Sequence, residues 1–129
     1  MRMKDILLIG ALATGAILPA NVSAADLSKL TPGLYMPRET GCGFVGGAGT
    51  TLFDGHNFSG HYQVCETKPV AGSANTYQSN CIEAQGPDQP TIKDIANNPD
   101  RETEKFSISI LSPKSFTRDG AAYDYCATR

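Results

Sequence analysis

Asp54, His56 and His61 lie close together in the chain, and imidazole with carboxylate is the donor set of zinc and copper sites and of many general bases. In a hairpin turning at Asp54-Gly55, however, His56 pairs with Phe53 and shares the face of Phe58, while the spacing to His61 sends that ring to the opposite face. The pattern predicts two ordinary strand histidines; the alternative is a small hydrolase or metal-dependent enzyme built on His56, His61 and nearby carboxylates. A second set, Asp94, Asn97, Asn98, Asp100 and Glu102, offers oxygen ligands but lacks the D-x-D-x-D-G order and the central glycine that bends an EF-type calcium loop, and it reads as solvated charge. Gly41, Gly43 and Gly46 match G-x-G-x-x-G. That spacing cradles a pyrophosphate only between a parallel strand and a helix N-terminus, and here the glycines run into Thr50–Phe53, which reads as a strand. Neither G-x-S-x-G nor S-x-x-K occurs. The sequence therefore assigns no catalytic residue, no metal ligand and no cofactor.

The compartment explains part of this. Arg2 and Lys4 precede an apolar run from Ile6 to Leu18, and Val22-Ser23-Ala24 supplies the short residues that a signal peptidase reads, which predicts a signal peptide over residues 1–24 and a single domain over residues 25–129. The apolar run is shorter than the roughly 20 residues a membrane-spanning helix needs, so no membrane span is expected after cleavage. The chain carries 11 Lys and Arg against 13 Asp and Glu, and loss of the leader makes it slightly more acidic. Without a basic stripe, no nucleic-acid partner is expected. The expected location is the periplasm or the extracellular space.

All four cysteines, Cys42, Cys65, Cys81 and Cys126, fall in the exported part, where oxidation favours two disulfides. Lys68 to Asn75 is rich in turn formers, and a hairpin centred on Ser73 sets Cys65 opposite Cys81. Cys42 and Cys126 then pair by elimination, and the glycines around Cys42 give its backbone the freedom to reach that bridge.

The elements that must carry these residues are short strands. Phe106 to Ile110 alternates apolar and polar residues and stops at Pro113; Ser115–Arg118 turns at Asp119-Gly120 into Ala121–Cys126, with Phe116 opposite Tyr123. Helix is scarce: a turn over Asp26–Leu30, and a short helix over Gln89–Asn97 with Asp88 as its cap, ended by Pro99 and a charged loop over residues 100–105. The predicted fold is all-β, a small antiparallel sandwich or barrel of six to eight strands with at most one short helix.

The order Gly33-Leu34-Tyr35, a first Cys, Gly60-His61-Tyr62-Gln63-Val64-Cys65, a third Cys and Tyr123-Asp124-Tyr125-Cys126 resembles small secreted four-cysteine β proteins of Gram-negative bacteria. Periplasmic inhibitors of c-type lysozyme are similar in size, export and β content, but their Ser-Gly-x-Arg-Tyr signature and any Trp are missing here, so no residue carries over. The resulting expectation is an exported, non-enzymatic binding or inhibitor-type protein holding a protein or glycan. Its candidate contacts lie in the loops 43–49 and 97–105: Phe44, Asp100, Arg101 and Glu102.

Overall fold

The computed structural model describes residues 25–85, 87 and 89–127; the expected signal peptide over residues 1–24 and the expected cap Asp88 lie outside them. Eight strands follow in order: β1 Gly33–Pro37, β2 Thr51–Phe53, β3 Phe58–Gly60, β4 Gln63–Pro69, β5 Thr76–Glu83, β6 Glu102–Ser112, β7 Ser115–Arg118 and β8 Ala121–Ala127. They form one antiparallel sheet in the order β3-β2-β1-β8-β7-β6-β5-β4, whose two outer strands, β3 and β4, lie side by side. The result is a nearly closed up-and-down barrel, in which every strand neighbours the strands next to it in sequence and closure covers the sheet edges.

Alternation fills the interior. On β6, Phe106 and Ile108 are buried while Ser107 and Ser109 are exposed. Tyr35, Phe53, Phe58, Tyr77 and Phe116 join them with Leu30 in a mainly aromatic core. The rings pack edge to face or stacked: Tyr35 and Phe116 have centroids 5.1 Å apart, Phe53 and Phe58 4.7 Å. Gly33 belongs to this packing, because a Cβ there would stand 2.5 Å from Cε2 of Tyr125. The segment before β1 closes one end: Asp26 caps a single 3-10 turn over Leu27–Lys29, Leu30 is buried, and the Tyr77 hydroxyl donates to the carbonyl of Ala25.

Both disulfides form as the spacing predicts. Cys65 and Cys81 are direct partners in the β4–β5 register, with Cα atoms 4.1 Å apart, and Cys42 is joined to Cys126. The Asp119-Gly120 hairpin is also observed: both residues have positive φ, 49° and 84°, as a two-residue loop with the strand-matching twist requires, and Phe116 stacks on Tyr123.

Three local expectations are corrected. The Asp54-Gly55 hairpin has four loop residues, because Phe53 pairs with Phe58 and not with His56. The cause is Asp54, whose Oδ1 accepts the amides of His56 at 2.8 Å and Asn57 at 2.6 Å and folds both residues into the turn. The Gln89–Asn97 segment makes only a 3-10 turn over Ile92–Asp94, with Thr91 and Asp94 forming a capping box. A segment this short, bounded by Pro90 and Pro99, gains too few backbone bonds to extend as a helix. Residues 102–105 are not loop but the start of β6, since their backbone ladders with Cys81–Gln78 of β5 while their side chains stay exposed.

The buried phenols set an alkaline limit on the barrel. Burial, helped by neighbouring Tyr125, pushes the Tyr35 phenol up to about 12, and burial raises Tyr77 as well. A folded value above the unfolded value of 10.0 means that Tyr35 contributes stability fully below pH 10, lost as pH rises towards about 12. Urea unfolding of Tyr35→Phe across that window is expected to show a shallower decline than wild type, and an identical slope would exclude Tyr35 as its cause.

Candidate functional site

The strand register dictates which residues meet at one end of the barrel. Continuing the β4–β5 pairing beyond the disulfide sets Gln63 opposite Glu83, and the β5–β6 pairing sets Glu102 opposite Cys81 and Glu104 opposite Ser79. The chain reaches this end from β3 through His61 and Tyr62. Tyr62 has φ 63°, a left-handed conformation that a bulky side chain rarely adopts, and its carbonyl accepts the amide of Ala84 at 2.8 Å. The turn holds the Tyr62 ring 57% exposed, with its centroid 3.8 Å from that of His61.

Gln85, Asn98 and Asp100, from the described parts of the loop between β5 and β6, form the other wall. The Ile92–Asp94 turn of this loop packs against β4 and Ile95 is buried, so the loop is strapped along the barrel rather than projecting from it. Its last residues turn on themselves before β6: the amide of Asp100 donates to Asn98 Oδ1 at 2.8 Å. An open cleft of about 530 Å³ results, lined chiefly by His61, Tyr62, Gln63, Glu83, Asp100 and Glu102, with Cys81 of the inner disulfide among its lining residues. A neighbouring depression shares Gln63, Cys81 and Glu102 and extends to Glu104.

The electrostatics of the cleft are one-sided. Arg118 pairs with Glu104 at 3.0 Å and lies over the Phe106 ring at 4.0 Å, but Glu83, Asp100 and Glu102 make no ion pair among the described residues. All three are exposed and their charge is available to an incoming cation. Arg101 does not compensate it: its guanidinium donates to the carbonyl of Asn98 at 3.2 Å and towards that of Ala96 at 3.4 Å, back into its own turn.

Phe44 lies in the β1–β2 connection, on a turn held against β8. The Cys42–Phe44 turn is anchored by the bridge to Cys126, by the Gly41 amide donating to the Pro37 carbonyl at 2.9 Å, and by the Gly46 amide donating to Thr50 Oγ1 at 2.9 Å. Gly41 has φ 71°, which turns the backbone into the bridge. Phe44 is left 67% exposed on this braced loop. The glycines run into antiparallel β2, not into a helix N-terminus that could face a phosphate.

The chain matches no known family model, no curated protein and no solved structure. The chemistry of the site must therefore be read from its own geometry.

The structure divides the two histidines. His56 sits in the loop before β3 and His61 in the turn after it, at opposite ends of the barrel, so they do not converge. Neither ring hydrogen-bonds to a carboxylate or hydroxyl of a described residue, and among the described residues no three His, Cys, Asp or Glu side chains gather to hold a metal. Of the sequence candidates, Asp100 and Glu102 enter the cleft, Arg101 borders it with its charge turned away, and Phe44 stands apart from it on the loop bridged to Cys126. Tyr62, Gln63 and Glu83 are additions. Hairpin symmetry carried two steps beyond Cys65 and Cys81 places Gln63 against Glu83; the exposure of Tyr62 has no such signal.

Proposed function

We propose that this protein is an exported, non-enzymatic binding protein that holds a protein partner with the cleft lined by His61, Tyr62, Gln63, Glu83, Asp100 and Glu102. One observation carries the reading: the exposed ring of Tyr62 is presented on a left-handed turn in a cleft that also bears three carboxylates without an ion pair, while a second exposed ring, Phe44, is held on a disulfide-braced loop. Exposed aromatics on restrained backbone lose little entropy on docking and are the usual anchors of recognition surfaces, while the carboxylates select a basic partner and speed its approach. The separation of His56 from His61 speaks against the hydrolase alternative. Two disulfides fit an oxidising compartment, and no described helix is long and apolar enough to cross a membrane. With the leader-like residues 1–24 and the resemblance to secreted four-cysteine β proteins, this supports a periplasmic or extracellular location.

The test is quantitative capture. Wild-type mature protein with intact disulfides is crosslinked in its native envelope, and the main captured species is compared across variants. Phe44→Ala combined with Tyr62→Ala, and Asp100→Asn combined with Glu102→Gln, are each expected to lower capture about tenfold or more. His56→Gln at the far end should leave it unchanged. Equal capture by all variants, or a loss confined to His56→Gln, would overturn the assignment, and a captured glycan would replace the protein partner.

A further inference from the structure

Strand β4 is held by its two neighbours in unlike ways. Towards β5 it is laddered along its whole length and bridged by Cys65–Cys81. Towards β3 no backbone ladder exists among the described residues, and the closure is made by side chains. The Phe58 amide donates to Thr67 Oγ1 at 3.0 Å, the Thr67 amide to Asn57 Oδ1 at 2.8 Å, and the Cys65 amide to Ser59 Oγ at 3.1 Å. Thr67 Oγ1 also shares a hydrogen bond of 2.8 Å with Ser79 Oγ. Behind this clasp stands Asp54, whose Oδ2 accepts Asn57 Nδ2 at 3.1 Å and so turns Asn57 Oδ1 towards Thr67.

These bonds depend on one another. Thr67 serves as donor through its amide and acceptor through its hydroxyl, and Asn57 and Ser59 both belong to the short segment that must move if any of them breaks. Side-chain acceptors keep rotors of their own, so parting them leaves the ladders of the other strands intact, whereas β4 cannot leave β5 without straining a covalent bridge. Where the chain crosses from β3 to β4 it passes through Tyr62, whose φ of 63° is left-handed.

We infer that the β3–β4 seam is the joint at which this barrel opens: β3 and the Asp54–Asn57 loop part from β4 as one unit, about a hinge at residues 60–62, while the β4–β5 pair stays closed. The hinge includes His61 and Tyr62 of the cleft wall, and Gln63, the first residue of β4, lines the same cleft. Opening of the seam therefore reshapes the cleft, and a partner gripping the turn shifts the seam's equilibrium in return. The joint itself follows from the hydrogen bonding alone and does not depend on the binding reading.

Native-state amide hydrogen exchange on the disulfide-intact mature protein tests it. In the wild type, the Phe58, Cys65 and Thr67 amides should exchange at rates independent of urea below the unfolding transition. The Ile108 and Tyr125 amides, bonded to the carbonyls of Asn75 and Lys114 at 2.9 Å, should follow urea as global unfolding does. In Asn57→Ala only Thr67 loses its acceptor directly, yet Cys65 and Phe58 should also exchange about tenfold faster, with Ile108 and Tyr125 unchanged. The milder Ser59→Ala should speed Phe58 and Thr67 in the same way. Acceleration limited to the one amide that lost its acceptor would overturn the joint, as would seam amides that track Ile108 under every condition.

Discussion

A variant in which Cys42 and Cys126 are both alanine is expected to lose about 4 to 5 kcal/mol of stability, against about 3 kcal/mol for the corresponding change at Cys65 and Cys81. The difference follows from what each bridge denies the unfolded chain: the outer bridge joins residues separated by 84 positions, the inner by 16. A domain of this size has a total stability of roughly 5 to 15 kcal/mol, so the outer variant should be marginal and the fully reduced protein unfolded at body temperature. The outer bridge also fixes the turn that carries Phe44, so its removal frees a loop as well as an ensemble. Urea denaturation of the two double variants beside the wild type measures this directly. A loss below about 1 kcal/mol for the outer pair would mean that the β1–β8 ladder already restrains the unfolded chain, and the entropic account would fail here.

The features legible in the sequence are those whose cause is local. The period-two alternation of β6, the Asp119-Gly120 turn and the symmetry about Ser73 each rest on a few adjacent residues, and each appears in the structure where its pattern puts it. Asp54-Gly55 shows the limit of that reasoning. The dipeptide is equally suited to a two-residue turn, but the Asp54 carboxylate captures two amides and Asn57 is drawn to the β4 amide of Thr67, a tertiary partner that no local pattern contains. Those hydrogen bonds, outweighing the cost of partial burial, hold the Asp54 carboxyl below its ordinary value, the mark of an anion the fold uses.

The site was legible to a lesser degree for the same reason. Asp100 and Glu102 were reachable as a dense charge run, but reading that run as loop concealed the role of β6, which extends past the barrel core and sets Glu102 against the inner disulfide. Tyr62 was invisible because its exposure comes from a single left-handed residue between two strands that turn out not to ladder to one another. Barrel closure at β3 and β4 is a long-range outcome: it brings the His61–Tyr62 turn beside Glu83 and Glu102, and only the complete strand order reveals it.

Phe116→Ala should cost about 3 to 5 kcal/mol, the usual range for truncating a fully buried phenylalanine, whereas Phe44→Ala should change stability by about 0.5 kcal/mol or less. The residue type is the same and the surroundings are opposite. Phe116 has no exposed surface and lies 5.1 Å, centroid to centroid, from each of Tyr35, Phe58 and Tyr123. Phe58 belongs to β3, the strand that reaches β4 without a backbone ladder, so Phe116 also ties β3 across the interior to β7. Its loss should therefore leave a cavity and loosen the seam together, and Phe116→Leu, which keeps most of the volume, should recover all but about 1.5 kcal/mol. Phe44 has almost no packing to lose, so any large effect of its truncation should appear in partner capture and not in unfolding. Urea unfolding of the three variants separates these cases: a loss below about 2 kcal/mol at Phe116 would mean that the aromatic core can collapse around the gap, and a comparable loss at Phe44 would mean that its ring is covered by the fold and is not free to anchor a partner.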